Sequence, residues 1–329
     1  MAALMVPPAV RRALPLAFGA AVVVGTVWVV GTGPLLRGLL AVSPAALLAA
    51  AALTAVATGA AAWRWRTVSF ELGLPMAWSS AVAAYYRSQF VNTVLPGGVV
   101  GDVHRAFRQG TASGELPMAA RAVATERVAG QLVQAVATVV VLGILGFAVP
   151  GLPGVGWGAL AVAALVVAAL ATVVTSRRAR RAARHELSLL RSVFRTTRAS
   201  LSIAAASLIV VAAHAGTFVV ACLAVGIEAS PRELAGLALV ALAAASLPLN
   251  VGGWGPREAA SAAAFAAVGL GAATGLAAST VFGIVTLVAV LPGAAVLVAD
   301  RVADRLTNRM VATISAVPAV HPMPEGRAA

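Results

Sequence analysis

Six stretches of this chain are predominantly apolar: residues 14–31, 44–62, 123–149, 157–175, 201–225 and 274–299. About 20 such residues in a helix match the hydrocarbon thickness of a bilayer. In lipid, only helices and closed barrels satisfy their own backbone. Charged residues make up 11% of the chain and hydrophobic ones 60%, whereas soluble domains carry about 25% charged residues. The expectation is an all-α polytopic membrane protein with about six full spans. The first run follows Arg11 and Arg12 as a signal peptide would. It is longer than a signal core and lacks a clean small-residue cleavage site, so it reads as an uncleaved span.

Two segments break the oily pattern. "LPGGVVGDVHR" occupies 95–105 and "LPLNVGGWGPR" occupies 247–257. Each opens with Leu-Pro, has Gly six residues after the Leu (Gly101, Gly253) and Arg ten residues after it (Arg105, Arg257). The apolar run 77–95, which carries Arg87, Gln89 and Asn92, leads into the first break, and 234–247 leads into the second. The limb after the first break is too polar to cross lipid, and the limb before the second is too short. Both read as re-entrant hairpins, because broken backbone at membrane depth needs protein or a water-filled cavity around it. Each half of the chain, 14–149 and 157–299, then reads span, span, hairpin, span. Three full crossings per half make the second half inverted, so the hairpins enter from opposite sides and can meet near the middle.

Arginine placement orients the chain. Arg11, Arg12, Arg64, Arg66, Arg105, Arg108 and Arg121 fall on one side, with the eight arginines of 177–198 and then Arg301, Arg305 and Arg309. The loops of the other side keep Arg37 and Arg232. By the positive-inside rule both termini face the cytoplasm. The segment 177–198 places Leu187, Leu190 and Phe194 at helical spacing among its arginines, which suits either an inner-leaflet helix or a solvated linker. The residues 311–329 have the composition of a disordered tail. Residues 1–310 are expected to form one membrane domain.

The formal net charge of +13 belongs to this bias and not to nucleic-acid binding, since the arginines lie between oily runs. The chain contains no lysine, which excludes a Walker A site and any lysine Schiff base. A single cysteine, Cys222, excludes intramolecular disulfides and cysteine metal clusters. The histidines lack ligand spacing, so no cofactor and no metal is expected. His214 lies in mid-span, where a packing hydrogen bond or a proton relay would explain it.

The breaks suggest a chemistry. Pro96 and Pro248 end one limb. The glycines Gly97, Gly98, Gly101, Gly253 and Gly255 allow tight turns and close approach to a ligand. The N-terminus of each returning limb would offer free N–H groups to an anion. Arg105 and Arg257 add positive charge, and arginine suits phosphate through its bidentate fork. The alternative is that Arg105 pairs with Asp102, and Arg257 with Glu258, as structural ion pairs. Glu126 and Arg127 enter a long span, where Glu126 could pair with a hairpin arginine or carry a proton. Tyr85, Tyr86, Trp63, Trp65, Trp78 and Trp254 fall where interfacial aromatics are expected, with no chemistry assigned.

The segments "YYRSQFVNTVLPGGVVGDVHRAF", "ATERVAG" and "SLPLNVGGWGPREAA" resemble the flippase-like membrane domain of lysylphosphatidylglycerol synthases. That group includes stand-alone bacterial proteins and the membrane part of some archaeal lipid-linked glycosyltransferases. The resemblance runs from the first span to Asp300. It implies a domain that moves a lipid between leaflets. The family's first pattern falls on Pro96, Gly97, Gly98, Gly101, Asp102 and Arg105. Its Glu-Arg falls on Glu126 and Arg127, and its last pattern on Gly253, Gly255, Arg257 and Glu258. The aminoacyl-transfer domain of full-length synthases does not follow in this sequence, so aminoacyl-tRNA-dependent synthesis is not expected of it.

The expected function is therefore a lipid translocase of the bacterial cytoplasmic membrane, acting on an anionic or polyprenyl-phosphate-linked lipid. Arg105, Arg257 and the glycines would hold the headgroup. Asp102, Glu126, Arg127 and Glu258 would position the arginines or be proton-linked. A glycosyltransferase is the alternative, but the first two outer loops contain no Asp or Glu to hold a metal or activate an acceptor. A third reading is a membrane partner for a soluble glycosyltransferase or synthase docked on the basic face.

Overall fold

The computed structural model describes residues 33–95, 98–145, 186, 188, 190–246 and 255–302. All the regular structure among them is helical: α1 (Gly33–Leu40), α2 (Pro44–Glu71), α3 (Trp78–Val94), α4 (Val100–Ser113), α5 (Leu116–Leu145), α6 (Thr197–Ala224), α7 (Pro231–Ala245), α8 (Pro256–Ala267) and α9 (Ala272–Ala289). A helical stretch over 292–302 continues α9 after a turn at Val290 and Leu291. Among the described residues, four helices are long and apolar enough to cross a membrane: Pro44–Glu71, Leu116–Ile144, Thr197–Ala224 and Ala272–Val302. They coincide with four of the six expected spans. The spans expected at 14–31 and 157–175, and the tail expected at 311–329, lie outside the described residues.

Local sequence starts these helices where they start. Ser43 caps α2 by accepting from the amide of Ala46, with Pro44 next, a position that tolerates a missing N–H. Thr196 caps α6 the same way through Ala199. Ser230 and Glu233 form a reciprocal capping box at α7. The helix α2 runs past its expected end at Ala62, through Trp63-Arg64-Trp65-Arg66, to Glu71. Arginine does not stop it because the Arg64 side chain turns inward and finds a carboxylate.

The most extensive packing is between α2 and α6. Alanines Ala50, Ala57, Ala61 and Ala62 on α2 are almost fully buried, and small residues let helix backbones approach closely where lipid supplies no hydrophobic drive. Gly216 sits by Leu53, and Ser207 by Arg64. Rising numbers on one helix meet falling numbers on the other, so α2 and α6 are antiparallel. Each is followed within six residues by a short helix pair, α3–α4 after α2 and α7–α8 after α6. The two helix pairs therefore open toward opposite ends of the bundle.

The contacts repeat. Helices α2 to α5 pack on one another pair by pair as α6 to α9 do, and α5 meets α6 as α9 meets α2. The main apolar cluster joins α6, α7, α8 and α9 around Phe218, Leu237, Phe265 and Phe282, with Phe218 edge-on to Phe265. Cys222 is buried in it, as a packing residue. A second cluster, around Ala61, Trp65, Ala81, Tyr85 and Val123, joins α2, α3 and α5.

Candidate functional site

Against the second cluster lies a chain of buried charge. Glu126, from α5, is fully buried. Its Oε1 accepts from Arg64 Nε at 2.8 Å and from the Tyr85 hydroxyl at 2.9 Å, and its Oε2 accepts from Arg105 Nη2 at 3.0 Å. Arg64 also donates to Ser207 Oγ at 3.0 Å, tying α2 to α6. Gly130 makes room for that guanidinium, since a Cβ there would lie 2.6 Å from Arg64 Nη1. Of the two readings of Glu126, pairing with a hairpin arginine is the one the geometry displays, with Arg64 as an unforeseen second partner.

Asp102, in the first turn of α4, is held as tightly. It accepts from Arg105 Nη2 at 3.0 Å, Ser88 Oγ at 3.0 Å, Asn92 Nδ2 at 3.1 Å and Arg127 Nη2. Among the described residues, three arginines thus face two carboxylates, leaving that cluster with one excess positive charge.

Arg105 is only 1% exposed. Its guanidinium lies over the rings of both Trp65 and Tyr85, at 4.4 and 4.3 Å from their centroids, where Nε and Nη1 make no hydrogen bond among the described residues. The planar guanidinium stacks on aromatic faces more readily than a lysine ammonium does. Trp65 and Tyr85, read from sequence as interfacial, are in fact interior partners of a charge. Trp63 and Trp78 do stay about half exposed.

The second break is arranged differently. Arg257 Nε donates to Glu258 Oε1 at 2.9 Å and to Ser279 Oγ at 3.0 Å, and its guanidinium lies 4.9 Å from the Phe282 centroid. The equal ten-residue spacing does not make the two arginines equivalent. Arg257 is the second residue of α8, whereas Arg105 is the sixth of α4. The later helix start leaves Arg257 at the break, and the earlier one carries Arg105 a turn and a half inside.

The returning limbs also spend their N-termini internally. The Gly101 amide donates to Asn92 Oδ1 at 2.7 Å, and the Gly255 amide to Glu258 Oε2 at 2.7 Å. Those two N–H groups are therefore not available to an anion, contrary to the expectation from sequence. Gly98 and Gly255 adopt positive φ, 61° and 126°, where glycine is the residue without strain. Gly101 lets α4 press on α3, since a Cβ there would fall on the Ser88 carbonyl oxygen. Pro96, Gly97, Pro248 and Gly253 lie outside the described residues.

Both breaks border one cavity of about 350 Å³. Gly98 and Val99 reach it from the first, and Ser246 and Arg257 from the second. Its walls come from mid-length of the long helices, with Arg64, Arg127, Gln131, Gln134, Ser207 and His214 among them. Arg127 is the open member of the charge cluster: its side chain is 42% exposed, although it sits deep between helices, because it fronts this space. Arg105, Asp102, Glu126 and Glu258 stand behind the wall and not in it. Arg64, counted from sequence as a cytoplasmic loop charge, is buried and lines the cavity. Nothing in its spacing marks it, since an arginine between two tryptophans after an apolar run is the ordinary signature of a membrane interface. His214 faces the cavity and hydrogen-bonds to no described residue, so the packing bond expected for it is not found among the described residues.

A comparison with protein families matches residues 14–293 to the family described as Lysylphosphatidylglycerol synthase TM region. No curated protein and no solved structure matches the chain. The match takes in three of the four long helices, the fourth as far as Gly293, both breaks and every residue of the cavity wall, so this multi-pass membrane protein belongs to the lysylphosphatidylglycerol synthase transmembrane-region family.

Proposed function

We propose that the protein is a lipid translocase that passes a phosphate-bearing headgroup through the central cavity. The observation that carries this reading is the excess of one positive charge behind a cavity at mid-length of the long helices. Burying an uncompensated charge in a medium of low dielectric costs several kcal/mol, and an anionic occupant next to Arg127 would offset that. Arg64 and Arg257 border the same space, and guanidinium is suited to phosphate.

The helix pairs support a route for that headgroup. At about 1.5 Å rise per residue, the 17-residue α3 and 14-residue α4 reach roughly 26 and 21 Å, and the 15-residue α7 and 12-residue α8 roughly 23 and 18 Å. A full crossing of the hydrocarbon core takes about 30 Å. We read both pairs as re-entrant hairpins of an inverted repeat, entering from opposite leaflets and meeting at the cavity. The arginine bias favours a bacterial cytoplasmic membrane with both termini inside. The interior carboxylates Asp102, Glu126 and Glu258 are each engaged by arginine, which suits positioning better than the acid–base work of a transferase.

Purified protein in liposomes should exchange an acyl-labelled phosphatidylglycerol between leaflets without ATP and without a pH gradient. Arg127→Ala should slow exchange by about 10- to 100-fold, the scale of a lost hydrogen bond to a charged group, and Arg127→Lys should recover part of it. Exchange no faster than in protein-free liposomes, for any anionic lipid, would reject the reading.

A further inference from the structure

We infer that a second site, on the outer side of the α2–α6 pair, holds an anionic phospholipid by its phosphate. It lies where α2 ends and α6 begins, and it shares no residue with the wall of the central cavity. It goes beyond the translocation reading and does not rest on it.

The groove there has a volume of about 1140 Å³. The last turns of α2, the loop after it and the first turns of α6 form its described walls. Trp63, Phe70 and Leu201 supply apolar surface and are 46%, 67% and 64% exposed. Arg66 and Arg198 supply charge and are both exposed. Guanidinium beside aromatic and aliphatic surface, at the end of two membrane-crossing helices, matches the border between headgroups and acyl chains.

The contacts that pair the helices, Arg64 with Ser207 and Leu53 with Gly216, also set the levels in the groove. Ala205 comes about level with Arg66, Leu201 with Phe70, and Arg198 just beyond Glu71. Roughly 10 Å of helix axis thus separates the two arginines, a gap that two long side chains and one phosphodiester can close. Arg66 Nε donates to the Met76 carbonyl at 3.0 Å. That bond fixes one edge of the fork, and both Nη groups, which bond to no described residue, face the task of gripping a phosphate. An acyl chain then runs along Leu201, Ala205 and Trp63 toward mid-length of the helices.

Charge selects the lipid. Glu71 is the carboxylate of the described wall, so two arginines against one acid leave an excess of one positive charge, the complement of a phosphodiester with a neutral head. A zwitterionic head, with no net charge, matches it less well. Arg198 is the second residue of α6, whose first turn holds no acid, and the helix dipole opposes a cation there. A phosphate beside it offsets that cost. The sequence leading into α6 adds to the field, since residues 177–198 hold eight arginines and one acid, Glu186, which pairs with Arg121. An acidic protein segment would use the charge but not the apolar surface beside it; a phospholipid uses both.

Trp63, as part of the wall, reports on occupancy. Full-length protein is placed in phosphatidylcholine nanodiscs containing a small fraction of acyl-brominated phosphatidylglycerol or acyl-brominated phosphatidylcholine. The Trp63 share of the emission is the difference between the protein with and without Trp63→Phe. Brominated phosphatidylglycerol should quench that share at a mole fraction about fivefold lower than brominated phosphatidylcholine, the scale of one hydrogen bond to a charged group discounted for exposure. Arg198→Gln removes a side chain that bonds to no described residue, so the fold should persist while most of the preference disappears. Arg66→Gln should do the same, and Arg198→Lys should keep part of it. Equal quenching by the two lipids, or a preference untouched by both glutamine variants, would overturn the inference. Loss of the preference on adding low millimolar inorganic phosphate would make the groove a soluble-anion site and overturn it as well. None of these outcomes bears on leaflet exchange, which tests the central cavity.

Discussion

Arg64 and Arg121 show how little residue type says about role. Arg121 pairs with Glu186 at 2.9 Å with side chains 32% and 48% exposed, a pair of the kind worth about 0–1 kcal/mol. Arg64 is 6% exposed and holds a carboxylate that is fully buried. Removing one partner of a buried pair costs about 3–5 kcal/mol, because the other charge is stranded. Here Arg105 and Tyr85 still contact Glu126, which puts the expectation at the lower end. Arg64→Met should lower the melting temperature of the purified protein by several degrees, or prevent its recovery as a single species. Arg121→Met should leave melting nearly unchanged. Equal effects from the two substitutions would argue that the Glu126 cluster is solvated and that its excess charge needs no occupant.

Among the helices, the α3–α4 pair packs closely enough to depend on one residue. Its closeness depends on Gly101, where any side chain collides with the Ser88 carbonyl. The same contact aligns Ser88 and Asn92 with Asp102. Gly101→Ala must push the two helices apart, with an overpacking cost of about 1–3 kcal/mol, and loosen the Asp102 cluster as well. Gly59, mid-helix in α2, has open space around its Cβ position, so Gly59→Ala should be neutral or stabilise by up to about 1 kcal/mol through helix propensity. Thermal melts of the two variants, run beside wild type, test this directly. A Gly101→Ala protein as stable as wild type would mean that the hairpin is not packed as described.

For the molecule as a whole, the opposed helix pairs set a topology that labelling can read. With Cys222→Ala as background, an impermeant thiol reagent applied to intact cells should label Glu228→Cys and Ala273→Cys, which flank α7–α8. It should miss Ser113→Cys, at the C-terminal end of α4. All three positions are exposed. Labelling of Ser113→Cys alone would reverse the orientation, and opposite results at 228 and 273 would make α7–α8 a single crossing instead of a hairpin.

Much of this was already determined by the sequence. Four of the long helices, the two breaks, the glycine and proline positions and the family patterns are local properties. They follow from run length, from ring and Cβ constraints on φ, and from the insolubility of charge in lipid. The likeness of the two breaks, with an arginine at one spacing, was visible too. What the tertiary structure alone decided is which charges face each other. Whether Arg105 meets a ligand or a carboxylate depends on Glu126, 21 residues on, and on Trp65 and Tyr85 from two other helices. Arg64 and Ser207 meet across 143 positions. Ion pairing acts through space over a few ångströms, so its partners are set by helix packing, and neither apolar periodicity nor motif spacing encodes them. The sequence therefore placed the charges along the chain, and the fold chose Arg127, not Arg105, to face the cavity.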